Sequence, residues 1–232
     1  MRVTHQRLVV LAVAVAAVTL LLAAPVLSPA PTVSDSAYGY SLSFDTNATL
    51  QNVTLTVPLP AAVDGPSPVV EAIRTGRLEG PDAWQYQVVE TARGPALEVR
   101  AGEVPAARRP DDRRYSSYLV GVRAPADHVI ETARPDGREP TVGPVDGRRT
   151  RPCPNRAAPA PETTCYAFDA RLFVSYDAPA AADVSFVVVH NGVNTYAGAG
   201  HEMYYERLQG GLDGPQDGWV EVDGFARVEG ER

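Results

Sequence analysis

Three side chains near the carboxyl end have the types that hold metals or move protons: His190, His201 and Glu202. Imidazole and carboxylate are the usual ligands of zinc and related ions, and imidazole titrates near neutral pH. Their spacing matches no metal motif. His201-Glu202 runs on into Met203-Tyr204-Tyr205, so HExxH is absent. Asp213, Asp217 and Asp223 form a second weak set. Their carboxylates lie in a Gly-rich stretch and would suit Ca²⁺, but the D-x-[DN]-x-[DN]-G pattern is missing. There is no G-x-S-x-G elbow, and Ser116-Ser117 have no histidine nearby in sequence. Gly192, Gly198 and Gly200 precede no helical pattern, so a dinucleotide loop fails too. The residues therefore assign no cofactor, no metal and no catalytic group, and a non-enzymatic protein is the expectation. An exported metal-dependent hydrolase built on His190, His201 and Glu202 is the reading they leave as a second alternative.

The two cysteines, Cys153 and Cys165, have no histidine near them, which argues against zinc. In an exported chain they should form one disulfide. Asn47-Ala48-Thr49 and Asn52-Val53-Thr54 are glycosylation sequons, the first in a turn and the second on the polar side of a strand. Such triplets also occur by chance in β sequences. Tyr196, Tyr204, Tyr205, Trp219 and Phe225 make the carboxyl end aromatic. Exposed, they could stack on sugars; buried, they would fill a core.

Export is what gives these sites meaning, and the signal for it is the run Leu8 to Leu27, whose only polar residue is Thr19. As a helix it would be roughly 30 Å long, about the hydrocarbon thickness of a bilayer. Arg2, His5 and Arg7 precede it with no acid among them, which places residues 1–7 in the cytoplasm and the rest outside. The run is longer than the core of a usual cleaved leader. Ser28-Pro29-Ala30 is a poor cut site because Pro31 follows, although a cut near Ser36 would release the chain. The expectation is a single-pass membrane anchor over 8–27, a Pro/Ser linker over 28–37 and an extracellular domain over 38–232.

That domain must be built of strands. Tyr38, Tyr40, Leu42 and Phe44 alternate with polar residues, as do Val53, Leu55 and Val57, then Leu97 and Val99, then Val120 and Val122. The clearest case is Phe168, Ala170, Leu172, Val174 and Tyr176. DVSFVVVH (183–190) is apolar on both parities and reads as a strand buried on both faces. Asn191-Gly192 reads as a hairpin turn, with Val193–Tyr196 returning. Val69–Ile73 could be a strand or one helical turn. Residues 131–163, rich in Pro, Arg and Gly, form one long irregular loop. It reads as a surface excursion tacked down by the disulfide rather than as a binding lid. The fold class is all-β, an antiparallel β-sandwich of Ig-like or Greek-key type behind one amino-terminal transmembrane helix.

The basic residues number 21 and all are Arg; there is no Lys, and the net charge is −7. An acidic balance without a basic stripe argues against nucleic acid as a partner. An acidic surface also keeps a protein hydrated in salt. Thr132-Ala133-Arg134-Pro135, Gly137-Arg138-Glu139-Pro140, Arg171 to Pro179 and Gly214 to Trp219 together resemble a group of haloarchaeal exported, membrane-anchored surface proteins of unknown function. The resemblance implies a compartment and salt adaptation, and no mechanism. The reading is a membrane-anchored, extracellular, disulfide-bonded glycoprotein. It would serve as a cell-envelope structural or interaction module with a protein or glycan partner. An extracellular sugar- or cation-binding domain is the first alternative.

Overall fold

Alternation at period two is what a sheet with one dry face requires, and it runs through most of the chain. The computed structural model describes residues 32–62, 65–107, 118–133, 135, 138–143, 147–153, 163–198 and 200–229. The expected cytoplasmic stretch 1–7, the anchor 8–27 and residues 28–31 of the linker lie outside the described residues. Among those described, no helix is long and apolar enough to cross a membrane. Residues 33–37 of the expected linker belong to the first strand, and Ala37 is already buried.

The strands are β1 (Val33–Thr46), β2 (Leu50–Pro58), β3 (Gln85–Thr91), β4 (Gly94–Val104), β5 (Tyr118–Pro125), β6 (Arg149–Arg151), β7 (Thr163–Asp177), β8 (Asp183–Tyr196), β9 (Gly200–Asp213) and β10 (Gln216–Glu229). One short helix, α1 (Pro68–Arg74), resolves the ambiguity at Val69–Ile73. Pro68 sits in its first turn, where a missing N–H costs nothing, and Glu71 and Arg74 lie on the favourable ends of its dipole. All strands belong to one antiparallel sheet in the order β3-β4-β2-β7-β10-β9-β8-β1-β5, with β6 paired to β7 off that path. The all-β antiparallel expectation holds. The ladders trace one continuous sheet rather than two.

The two ends of this path share one core. Tyr40 on β1 donates through its hydroxyl to Pro58 O at the end of β2, 3.1 Å away. Phe44 on β1 lies edge-on to Trp84, which in turn packs 5.2 Å from Tyr118 on β5. Val69, Val70, Ala72 and Ile73 of α1 are buried in the same cluster. Removing such side chains from water is the main favourable term, about 1.5–3 kcal/mol for each large one.

Register explains the glycines. On the inner face Tyr38 is opposite Gly192, which is opposite Tyr204; two residues on, Tyr40 is opposite His190, which is opposite Glu206. A Cβ on Gly192 would lie 2.4 Å from Tyr204 Cε1. Gly210 and Gly224 likewise make room for the rings of Phe186 and Phe168. Here a glycine in a strand marks close approach rather than a turn. So Asn191-Gly192 is not a hairpin turn: β8 runs straight through it to Tyr196. The chain reverses at 197–198, where Gly198 has φ +75°. Gly210-Gly211 is likewise inside β9, and the reversal comes at Gly214 (φ +68°). Strand β8 is central, flanked by β1 and β9, but only its Val184–Phe186–Val188–His190 face is buried; Val187 and Val189 are half-buried.

Candidate functional site

The structure scatters the metal-type residues. His190 is opposite Glu206 and His201 is opposite Thr195, five positions further along the β8–β9 ladder. At ~3.4 Å per residue that is roughly 17 Å. His201 is exposed, and Glu202 accepts a hydrogen bond from Tyr196 Oη at 2.7 Å. Asp213 ends β9 and Asp217 is the second residue of β10, while Asp223 lies mid-strand opposite Asp169. Among the described residues no three His, Cys, Asp or Glu side chains gather as a metal site. The aromatic set divides too: Tyr204 is fully buried, whereas Trp219 is 57% exposed. Cys153 and Cys165 are disulfide-bonded. Asn47 and Asn52 are both exposed; Asn47 Oδ1 accepts from Asp183 N, and Asn52 Nδ2 donates to Asp177.

What His190 does join is a buried polar layer under the described residues of a segment that comprises 130–133, 135 and 138–143. This part of the expected surface excursion crosses the inner face of the sheet: Ile130, Thr132, Glu139 and Thr141 are buried. Irregular backbone in a core must find hydrogen-bond partners, and side chains supply them. Asn194 accepts from Ile130 N (2.9 Å) and donates to Ile130 O (2.8 Å). Glu139 accepts from Glu131 N at 2.8 Å and from the Tyr38 hydroxyl. Tyr204 Oη donates to Pro140 O at 2.8 Å, and Glu206 Oε2 accepts from Val142 N at 2.6 Å. His190 lies 2.9 Å from Gly39 O through Nδ1 and 2.9 Å from Pro140 O through Nε2.

The electrostatics follow from burial. His190 is pushed down to about 4, so its ring is neutral at pH 7 and has one proton for two carbonyls. Glu206 is pushed up to about 7 by burial, against the pull of Arg148, whose Nη2 lies 2.7 Å from Oε1. Tyr38 and Tyr204 are raised well above the ordinary phenol range, chiefly by burial. At the outer end, the Asp127 hydrogen bond raises His128, whose Nε2 is 3.5 Å from Glu139. His128 is exposed, whereas Tyr38, His190, Tyr204 and Glu206 are closed off from solvent. Their visible work is to hold segment 139–143.

That segment forms one side of a cleft of about 550 Å³ on the other face of the sheet. Two-way hydrogen bonds between Ala61 and Thr141 tie it to the chain leaving β2. The strands present their outward residues: Thr56 and Pro58 from β2, Ala96 from β4, Asp169 and Arg171 from β7, and Trp219 from β10. Thr91 and Arg93 come from the tight β3–β4 hairpin, ordered by Thr91 Oγ1, which donates to Gly94 O and accepts from Arg93 N. Phe173 braces Trp219 edge-on, with ring centroids 5.8 Å apart. Asp169 pairs with Arg149 at 2.9 Å and Arg171 pairs with Glu221. Among the described residues Arg93 has no carboxylate partner. An open site of this size, mostly apolar with a few placed polar groups, has the make-up of a ligand site.

Sequence reasoning named Trp219 but missed Arg93, Arg171, Glu139, Arg148 and Glu206. A signal was present for the exposure of Trp219 and for Glu206. Trp219 shares parity with Glu221 rather than with Val220 and Val222, which puts it on the wet face. Glu206 shares parity with Tyr204 and Leu208, which puts a carboxylate in the core. No family model matches the chain, and neither the curated proteins nor the solved structures contain a match.

Proposed function

We propose that this chain is a membrane-anchored domain displayed outside the cell, and that it works by recognition rather than by chemistry. The observation that carries this reading is the Trp219 cleft. It offers an exposed indole, two guanidiniums, three threonines and one carboxylate already paired to Arg149. General acid–base work needs a group poised to exchange a proton with a substrate, and those lining groups are poorly suited to it. The Leu8–Leu27 run with its basic flank supports anchoring. The Cys153–Cys165 disulfide supports an oxidising compartment, and the exposure of Asn47 and Asn52 leaves both sequons open to modification. The resemblance to haloarchaeal exported proteins agrees with that placement. We read the coiled sheet as a sandwich-type body, its β3–β4–β2 and β8–β1–β5 ends facing each other across the shared core.

The test is peptide mass spectrometry on membrane and culture-fluid fractions, using Arg-directed cleavage. An intact Leu8–Leu27 peptide in the membrane, a linked Cys153–Cys165 peptide and loss of domain peptides on protease treatment of whole cells are expected. Reduced cysteines in the native protein, or protection from external protease in intact cells, would overturn the extracellular reading.

A further inference from the structure

We infer that the cleft is a binding site for an acidic saccharide, with Trp219 as its stacking platform and Arg93 as the partner of the sugar's carboxylate or sulfate. This rests on the reading of the domain as a recognition module. Three features define the ligand. The first is the indole of Trp219, 57% exposed and braced on Phe173, so its position is set before anything binds. A rigid exposed aromatic beside an apolar surface that includes Pro58 and Pro95 calls for a ligand with a flat apolar face.

The second is charge. Asp169 and Arg171 are each neutralised by a neighbour, Arg149 and Glu221. Arg93 also lines the cleft and has no carboxylate partner among the described residues. The site therefore has one cation to spare, and a guanidinium binds a carboxylate or sulfate in bidentate fashion. The third is hydrogen-bond sense. Thr141 Oγ1 donates its proton to Gly143 O and Thr91 Oγ1 donates to Gly94 O, so both hydroxyls can only accept from a ligand. A ligand that brings hydroxyl donors, an apolar face and an anion is an acidic sugar. A fatty acid brings no such donors. An acidic peptide is the competing ligand, and tetraglutamate stands for it in the experiment.

The experiment uses the full chain in detergent micelles, at the lowest salt at which circular dichroism reports the folded sheet. Tetragalacturonate, maltotetraose and tetraglutamate are titrated while tryptophan emission is followed. Of the two tryptophans Trp84 is buried, so a saturable change reports Trp219. Tetragalacturonate should bind about tenfold more tightly than maltotetraose. Trp219→Ala should abolish the signal and, by calorimetry, the binding. Arg93→Gln, an exposed change away from the core, should remove the preference for the acidic sugar. Equal affinity for both sugars, tighter binding of tetraglutamate, no saturable response to either sugar, or binding unaltered in both variants would each overturn the inference. None of these results bears on the anchored, extracellular placement, which the fractionation experiment decides separately.

Discussion

Gly192→Ala separates two readings of one dipeptide. If Asn191-Gly192 were a hairpin turn, alanine would be costly because of backbone strain, about 1 kcal/mol, whatever stood at 204. In the structure Gly192 is mid-strand and is not among the positive-φ residues, so the backbone itself tolerates alanine. The cost comes from a collision. The new Cβ would meet Tyr204 Cε1 at 2.4 Å and Ile130 Cγ2 at 2.9 Å, against a comfortable carbon–carbon contact of about 3.5–4 Å. Tyr204 cannot simply swing aside, because it is fully buried and its hydroxyl is tied to Pro140 O. Overpacking of this kind costs about 1–3 kcal/mol, offset by roughly 0.5–1 kcal/mol because alanine suits a strand better than glycine. Urea unfolding of wild type, Gly192→Ala, Tyr204→Leu and the double variant forms a double-mutant cycle. Leucine at 204 has no atom in place of Cε1, so Gly192→Ala should cost at least about 1 kcal/mol less in that background. An equal cost in both backgrounds would refute the steric argument and restore the turn.

Two more outcomes follow from the buried groups and the crosslink. Glu206 has a folded-state pKa raised from 4.5 to about 7, so the folded protein holds a proton there that the unfolded chain has released. Its contribution is therefore fully present below about pH 4.5 and lost as pH rises to about 7, by at most about 3 kcal/mol. Glu206→Gln should flatten the fall of the urea midpoint across that window relative to wild type; parallel profiles would show that the carboxyl is not the titrating group. Replacing Cys153 and Cys165 by serine removes a crosslink of sequence separation 12 and should lower stability by up to about 3 kcal/mol. Differential scanning calorimetry that finds no change would mean that the unfolded chain gains little freedom when the bond is absent.

Strand parity was the legible part of the fold. The Tyr38–Phe44 and Phe168–Tyr176 alternations fall on the buried face as the period-two argument requires. The lengths of β8, β9 and β10 were not legible, because each strand carries glycines inside it and glycine is locally a turn signal. Local rules assign Asn-Gly and Gly-Gly to turns; the ring that each glycine accommodates lies on a neighbouring strand and has no signature in the local sequence. The site was hidden for a similar reason. Arg93, Thr141, Asp169 and Trp219 are far apart in sequence and meet only through the order in which the strands pair. His190 has the type that does chemistry, yet its neighbours in space are Gly39 O on β1, Tyr204 on β9 and Pro140 O, the last brought there by the crossing segment.

That crossing segment links the core to the cleft, and the linkage decides which substitutions the domain can tolerate. Residues 139–143 have no strand partner beyond the Ala61–Thr141 bridge, so their backbone is held by Tyr204, His190 and Glu206 from below. Each of those side chains is buried; losing Glu206 leaves Val142 N–H unsatisfied in the interior at about 1–3 kcal/mol, and losing Tyr204 leaves Pro140 O dependent on the single ring proton of His190. A change there should disturb the cleft and the fold together. Trp219 and Arg93 are different: both are exposed, and neither supports a neighbour in the core. The domain thus separates a rigid frame, fixed by the hydrogen-bonding needs of irregular backbone, from recognition groups that can be exchanged at little cost in stability. Arg148→Met tests the first half of that division. The guanidinium is the only cation paired with Glu206 among the described residues, so its loss leaves the carboxylate buried beside an apolar chain. Glu206 should then hold its proton to higher pH than it does in the wild type. The stability loss should grow as pH rises and shrink below about pH 4.5, where the carboxyl is neutral in both folded and unfolded protein. A loss independent of pH would mean that Arg148 stabilises segment 139–143 by its hydrogen bond to Gly143 O (3.4 Å) and by packing over Phe168, 6.0 Å away, and not through Glu206.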